Sequence, residues 1–337
     1  MTKRPTIHDV AARAGVSKST AAVVFSSPDD VSPVRRERVL VAARELGYTP
    51  NAWARSLRST SRGFVGIIVA DFHNPLFTEI ADAARQLLAA QGIFSFVASA
   101  SIVDGPEGKR LDREPIQHLL DLKPQSLFIV GGLPDLSPFA NLPGNIRVVV
   151  ALSAATELSG AVTVRTDESA AMQLVCAHLA ELGHQRIAYI GPVGRRVADD
   201  RRAAFLRAAD QHTMSALLDS TGSAMDESSG ADAAERVVQS TERPTAIVCY
   251  NDNVAFGVQN FLERAGNKTV AVTGYDNTYI ARLERIALTS IEQNTAEIAR
   301  KSCELLGDES AFARSAGSEI LVAPELAIRS STLSVAV

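Results

Sequence analysis

The sequence predicts an α/β protein with a small all-α head and a body of two doubly wound, parallel-sheet subdomains. Three observations carry this. From Phe64 onward, short continuous apolar runs alternate with amphipathic helical patterns. Before that point, residues 6–47 hold the caps and stops of three short helices. Charge divides in the same place. Residues 1–62 carry 11 Lys and Arg against 5 Asp and Glu, a net of +6, while the other 275 carry 23 against 33, a net of −10. A basic head on an acidic body points to an anionic partner for the head alone.

In the head, Thr6 is placed to cap a first helix, with Asp9 completing the capping pattern. Ile7, Val10, Ala11 and Ala14 then fall at helical spacing, and Gly15 ends the run. Ser17 caps a second helix from Lys18 to about Phe25, which "SSPDD" breaks. Ser32, with Pro33 at the first helical position, opens a third helix that stops at Gly47. Two short helices joined by a Gly-containing turn, with a third behind them, describe a helix-turn-helix unit.

In the body, the strand-like runs are "FVGIIVAD", "IFSFVASA", "SLFIVGG", "RVVVAL", "RIAYIGP", "AIVCYND" and "TVAVTGYD". Between them lie patterns such as "LFTEIADAARQLLAAQG", where Ile80, Ala84, Leu87 and Leu88 share a face. Apolar strands interleaved with such helices mean parallel sheets covered on both faces. Ligands in these sheets bind beyond the carboxyl ends of the strands. The residues expected there include Asp71, Asn251, Asp252 and Asp276, with Phe72 and Phe77 as an apolar wall.

Several motifs resemble the LacI/GalR family of bacterial transcriptional regulators. They are "TIHDVAARAGVSKST", "VSPVRRERVLVAARELGY", "GYTPNAWARSLRS", "HLAELGHQRIAYIGP", "CYNDNVAFG", "VTGYDN" and "IRSST", in that order over nearly the whole chain. The resemblance implies a headpiece over 1–49, a hinge helix or linker over 50–62, and a periplasmic-binding-protein-like body over 63–337. Within the body it implies an N-subdomain of about 63–160 plus 293–320 and a C-subdomain of about 161–292 plus 321–332.

In the family the second helix lies in the DNA major groove. Its usual pattern there is roughly T-V-S-R-V-L-N, whose Arg reads a base edge; here Val23 replaces that Arg and Ser26 the final Asn. Base reading then falls to Lys18 and Ser19, with Val23 against a thymine methyl and Ser17 and Thr20 toward phosphate; Thr6 is also expected to meet DNA. The hinge would add Asn51, Ala54, Arg55 and Arg58, with Leu57 as a minor-groove wedge. In the body, Arg201 fits the family's effector arginine in R-x-x-G-F, although Ala204 replaces the Gly. With Asn251, Asp252 and Asp276 it makes a donor and acceptor set for a polyhydroxylated ligand. Ser153 stands where sugar-sensing members often carry an acid or Arg, Asn277 where a second Asp is usual, and Asn294 where Pro normally follows Gln293.

The expected function is therefore a DNA-binding repressor that acts as a homodimer on a near-palindromic operator. A small, sugar-like effector is expected to control it, and the alternative is an effector-independent regulator with a degenerate pocket. No enzyme motif is present: there is no G-x-S-x-G, P-loop, H-E-x-x-H or G-x-G-x-x-G. No cofactor or metal is expected, because Cys176 and His178, two apart on a helix, face different sides. "MTKRPTIHDV" lacks an apolar signal core, and the longest apolar runs are strand-length, so the expected location is cytoplasmic with no membrane partner. Only "LSVAV" follows "RSST", so a dimer rather than a tetramer is expected.

Overall fold

Thr6 and Asp9 cap one another at the start of helix α1 (Ile7–Ala14). Thr6 Oγ1 accepts the Asp9 N–H at 3.4 Å, and Asp9 Oδ2 accepts the Thr6 N–H at 2.7 Å. Gly15 stops the helix at φ +61°, a left-handed turn that costs glycine nothing. Ser17 caps α2 (Lys18–Ser26) by accepting the Thr20 N–H at 3.1 Å. Pro33 begins α3 (Pro33–Leu46). The three helices close on Val10, Ala11, Ala14, Ala21, Val24, Val39, Ala42 and Ala43, so small residues let the helices approach closely.

The computed structural model describes residues 5–49, 63–100, 102–105, 108–154, 157–222 and 224–332. The chain forms two compact units, Met1–Gly63 and Phe64–Val337. The sequence-predicted hinge residues Asn51, Ala54, Arg55, Leu57 and Arg58 lie outside the described residues.

The second unit starts with β1 (Val65–Val69), buried along its whole length, and α4 (Pro75–Ala90). There follow β2 (Ser95–Ser99), a hairpin of β3 (Ile102–Gly105) and β4 (Gly108–Leu111), and α5 (Glu114–Asp121). Next come β5 (Ser126–Val130), β6 (Arg147–Ala151) and β7 (Val162–Thr166). The chain then passes through α6 (Glu168–Glu181), β8 (Arg186–Gly191), α7 (Arg196–Gln211), β9 (Ser215–Ser220) and α8 (Glu227–Gln239). It continues with β10 (Ala246–Cys249), α9 (Asp252–Arg264), β11 (Ala271–Tyr275) and β12 (Thr289–Glu292). The last elements are α10 (Thr295–Gly307), α11 (Glu309–Ser315), β13 (Glu319–Val322) and β14 (Glu325–Ala327).

Two six-stranded sheets result, in the orders β13-β7-β6-β5-β1-β2 and β14-β12-β11-β10-β8-β9. The first is parallel throughout, and in the second only β14 runs antiparallel to its neighbour. In the first sheet, α4 and α10 bury Ile80, Ala84, Leu88, Ile298 and Leu306 against Val65, Ile67 and Phe128. In the second, α6 and α7 cover one face and α8 and α9 the other. Covering both faces is what allows these strands to be apolar all round.

The strand Val162–Thr166 corrects the boundary expected near Ala161. It pairs with β6 on one side and β13 on the other, so it belongs to the first sheet, and the chain first crosses after Thr166. Leu321 and Val322 likewise belong to β13 in the first sheet. A strand buried on both faces reads the same whichever sheet holds it, so apolar pattern alone cannot assign it. Further crossings lie between β12 and α10, and between β13 and β14. Two of these crossing segments are joined, because Thr166 Oγ1 donates to Gln293 Oε1 at 2.6 Å.

Helices α8 and α9 meet through glycines. A Cβ on Gly257 would lie 1.9 Å from the Glu227 carbonyl oxygen, and one on Gly230 would lie 2.3 Å from that of Val254. Backbone cannot yield as a flexible side chain does. Gly257→Ala is therefore expected to cost about 1–3 kcal/mol or more, an overpacking penalty. Urea denaturation checks this, and an unchanged midpoint would mean that the helices separate without cost.

Candidate functional site

A cavity of about 890 Å³ opens between the two sheets, at the carboxyl ends of their strands. Of the eight effector residues predicted from sequence, seven line it: Asp71, Phe72, Phe77, Ser153, Arg201, Asn251 and Asp276. The first-sheet side is largely apolar. Gly131, at φ +91° just after β5, lets the Phe77 ring lie close, since a Cβ there would meet it at 2.7 Å. Asp71 is turned onto its own loop, accepting the His73 N–H at 2.8 Å. Asn74 caps α4, accepting the Leu76 N–H at 3.0 Å.

Charge is concentrated on the second-sheet side. Arg201, on α7, is 4% exposed, and its guanidinium is held by protein groups. Nε donates to Glu168 Oε2 at 2.7 Å, Nη2 to Glu168 Oε1 at 3.0 Å, and Nη1 to the Tyr250 carbonyl at 2.5 Å. The cation lies 3.4 Å from the Tyr275 ring centroid and 4.5 Å from that of Tyr250. Tyr275 Oη donates to Glu168 Oε2 at 2.9 Å, completing the carboxylate's partners. Burial is the largest single influence and opposes the Arg201 charge, but Glu168, Tyr275 and Tyr250 together hold the guanidinium pKa well above its usual value. Glu168, Tyr250 and Tyr275 were not singled out from sequence. The available sign was that each stands at or just beyond a strand end.

Asn251 and Asp252 are neighbours with separate roles. Asn251 caps α9, accepting the Val254 N–H at 2.9 Å, and its Nδ2 donates to the Met225 carbonyl at 3.3 Å. Asp252 is not brought to the cavity, which corrects its assignment to the effector set. It is 0% exposed, and its carboxylate accepts from the Thr278 N–H at 2.7 Å, the Thr278 hydroxyl at 2.9 Å and the Ser290 hydroxyl at 2.6 Å. The first residue of a helix points away from the cap, and here that direction is the core.

Asp276 ends β11 at φ +114° and accepts from Gln293 Nε2 at 2.6 Å. The Asn74 side chain, from the first-sheet half, also lines the cavity and favours the charged form of this carboxyl. Burial, aided by the Asp252 charge and opposed by Arg201, pushes the Asp276 carboxyl up to about 8. A neutral carboxyl in a cleft can donate as well as accept.

In the head, Ser17, Lys18, Ser19, Thr20 and Val23 stand on or cap α2, and Thr6 caps α1. Several head arginines have protein partners: Arg13 with Glu45 at 2.8 Å, Arg44 with Glu37 at 3.2 Å, and Arg38 Nη2 on the Ala14 carbonyl at 2.5 Å. Among the described Lys and Arg residues of the head, Arg13, Arg36 and Arg44 form ion pairs and Lys18, Arg35 and Arg38 do not.

The head and the body each match known proteins. Residues 6–51 match the model of bacterial regulatory proteins of the lacI family, and residues 176–332 match a periplasmic binding protein-like domain. The chain is 30% identical over 301 residues to the maltose regulon regulatory protein MalI of Escherichia coli, covering 88% of this chain and 85% of that one. It is 26% identical over 347 residues to the transcriptional repressor PurR of Mannheimia succiniciproducens, covering 98% and 99%. Among solved structures, a LacI transcriptional regulator from a Rhodococcus species is 26% identical, with a TM-score of 0.70, covering 80% of this chain and 98% of that one. The fold also matches the lac repressor dimer bound to operator and the anti-inducer ONPF, with a TM-score of 0.82, 24% identity and coverage of 98% and 100%.

A helix-turn-helix head on a periplasmic-binding-protein-like body defines a class of DNA-binding transcriptional regulator. The chain belongs to the LacI family. It is a DNA-binding transcriptional regulator, and its relatives are regulators rather than enzymes.

The raised Asp276 carboxyl makes stability depend on pH. The unfolded chain loses this proton near the ordinary value of 3.8, whereas the folded chain keeps it to about 8. The contribution is thus complete below the unfolded value and is lost as pH rises through about 8. Asp276→Asn should flatten the fall in unfolding free energy between these limits. Denaturation at stepped pH checks this, and wild-type and variant curves of equal slope would contradict it.

Proposed function

We propose that this regulator is a repressor that binds a near-palindromic operator as a homodimer. A small polar metabolite, a sugar or sugar derivative, binds in the cleft and sets the operator affinity. The cavity of about 890 Å³, where Phe72 and Phe77 stand beside the polar groups Asp71, Ser153, Arg201, Asn251 and Asp276, carries this reading. The relative at 30% identity is named for the maltose regulon, which favours a sugar.

In this reading Thr6, Ser17, Lys18, Ser19, Thr20 and Val23 meet the operator, and Asn51, Ala54, Arg55, Leu57 and Arg58 serve as the hinge. Asp71, Ser153, Arg201, Asn251 and Asp276 meet ligand hydroxyls, while Phe72 and Phe77 pack on the ligand's apolar face. Charge-assisted bonds of this kind are worth about 1.5–3 kcal/mol each. A two-fold operator requires a two-fold protein. Closing the sheets on a ligand works through the crossing segments at Thr166 and Gln293, and Gln293 is itself bonded to Asp276. The second reading, an effector-independent regulator, draws on one observation: Arg201 and Asn251 already have protein partners.

Thermal-shift screening of sugars and nucleosides, followed by operator titration, tests the proposal. A stabilising ligand should weaken operator binding by about 5- to 150-fold, and Asp276→Ala should bind that ligand more weakly. If saturating ligand leaves operator affinity unchanged, the effector-independent reading replaces this one.

A further inference from the structure

The outer face of α2 holds an unusual set of side chains. Ser19, Ala22, Val23 and Ser26 share it at helical spacing, with Lys18 at its leading end. The inner face is accounted for by Ala21 and Val24 in the head core, with Phe25 packed against that core. Ala22 and Val23 stand apart from the core, yet both are apolar and partly exposed.

The hydroxyls on this helix are already engaged. Ser17 Oγ pairs with Ser19 Oγ at 2.8 Å and with Thr20 Oγ1 at 2.8 Å. Ser26 Oγ turns back to the helix backbone, donating to the Ala22 and Val23 carbonyls at 3.3 and 3.4 Å. From Lys18 to Ser26 the helix has no Arg, Asn, Gln or His, the side chains that pair bidentately with purine edges or otherwise bond them. Lys18 remains as the one long donor. Apart from the engaged hydroxyls of Ser19 and Ser26, the outward face presents the carbon of Ala22 and Val23.

We infer that α2 sets operator specificity by apolar contact of Val23 and Ala22 with thymine 5-methyl groups, while Lys18 supplies the one long polar contact. In the major groove the methyl is the apolar feature that marks thymine, and small aliphatic side chains are its partners. The inference rests on the reading of α2 as the helix that enters the groove. It goes further by naming the chemical group that is read. The preferred half-site then carries thymine beneath the middle of α2.

The test uses the full chain and a duplex chosen by selection from random sequence. Each thymine of the selected half-site is then replaced by deoxyuridine, which removes the methyl and leaves base pairing intact. Affinity should fall about fourfold per methyl at one or two positions, the worth of burying one such group. Val23→Ala should weaken binding to the thymine duplex and remove most of that dependence. Lys18→Ala should lower affinity for thymine and deoxyuridine duplexes by the same factor. Deoxyuridine that is neutral at every position, on a site that is still bound specifically, overturns methyl reading and leaves DNA binding intact. No enriched site at all overturns the DNA-reading role of α2 itself, and with it this inference.

Discussion

A guanidinium withdrawn from water must be paired or the fold around it fails. Arg201 is such a group, and the second sheet is arranged about it. Its charge draws Glu168 from α6, the carbonyl of Tyr250 from the end of β10, and the faces of Tyr250 and Tyr275. Four segments far apart in sequence are thereby fixed at the base of the cleft. Removing one member of a buried pair costs about 3–5 kcal/mol, because the other charge is left unpaired. The same pairing limits what Arg201 can offer a ligand. Most of its donors already point at protein, so Arg201 orders the cleft floor at least as much as it lines it.

A second buried carboxyl works differently. Asp276 has no cation bonded to it; burial raises its pKa, and Gln293 Nε2 donates to it. Asn74 stands on the first half of the body and Asp276 on the second, while Gln293 lies on a crossing segment and reaches Thr166 on another. Movement of the crossing segments is therefore linked to one carboxyl through Gln293. Such a point is suited to sense a ligand, because a small displacement there exchanges one set of partners for another.

Much of this was legible in the sequence where the physics is local. Thr6, Ser17 and Gly15 announce helix ends through bonds spanning three or four residues, and the structure shows those caps. Asp71, Asn251 and Asp276 were placed at the cleft because strand ends in parallel sheets converge there. Partnerships across long stretches of chain were not legible: Glu168 lies 33 residues from Arg201, and neither residue type nor spacing announces the pair. Asn251 and Asp252 were read as one motif, yet the helix cap turns the first toward the cleft and the second into the core. The segment Val162–Thr166 lies outside the strand-like runs and within the expected C-subdomain, yet it is a strand of the first sheet, because burial on two faces does not say between which neighbours.

The head and the body each make sense alone, and regulation requires that they be coupled. Coupling is reciprocal: a ligand that weakens operator binding must itself bind the operator complex more weakly, by the same factor. The most direct measurement is calorimetric titration of one cleft ligand into the free protein and into its operator complex. The expected result is a ratio of the two dissociation constants equal to the ligand's effect on operator affinity. Equal dissociation constants for free and operator-bound protein would contradict a cleft that controls the head.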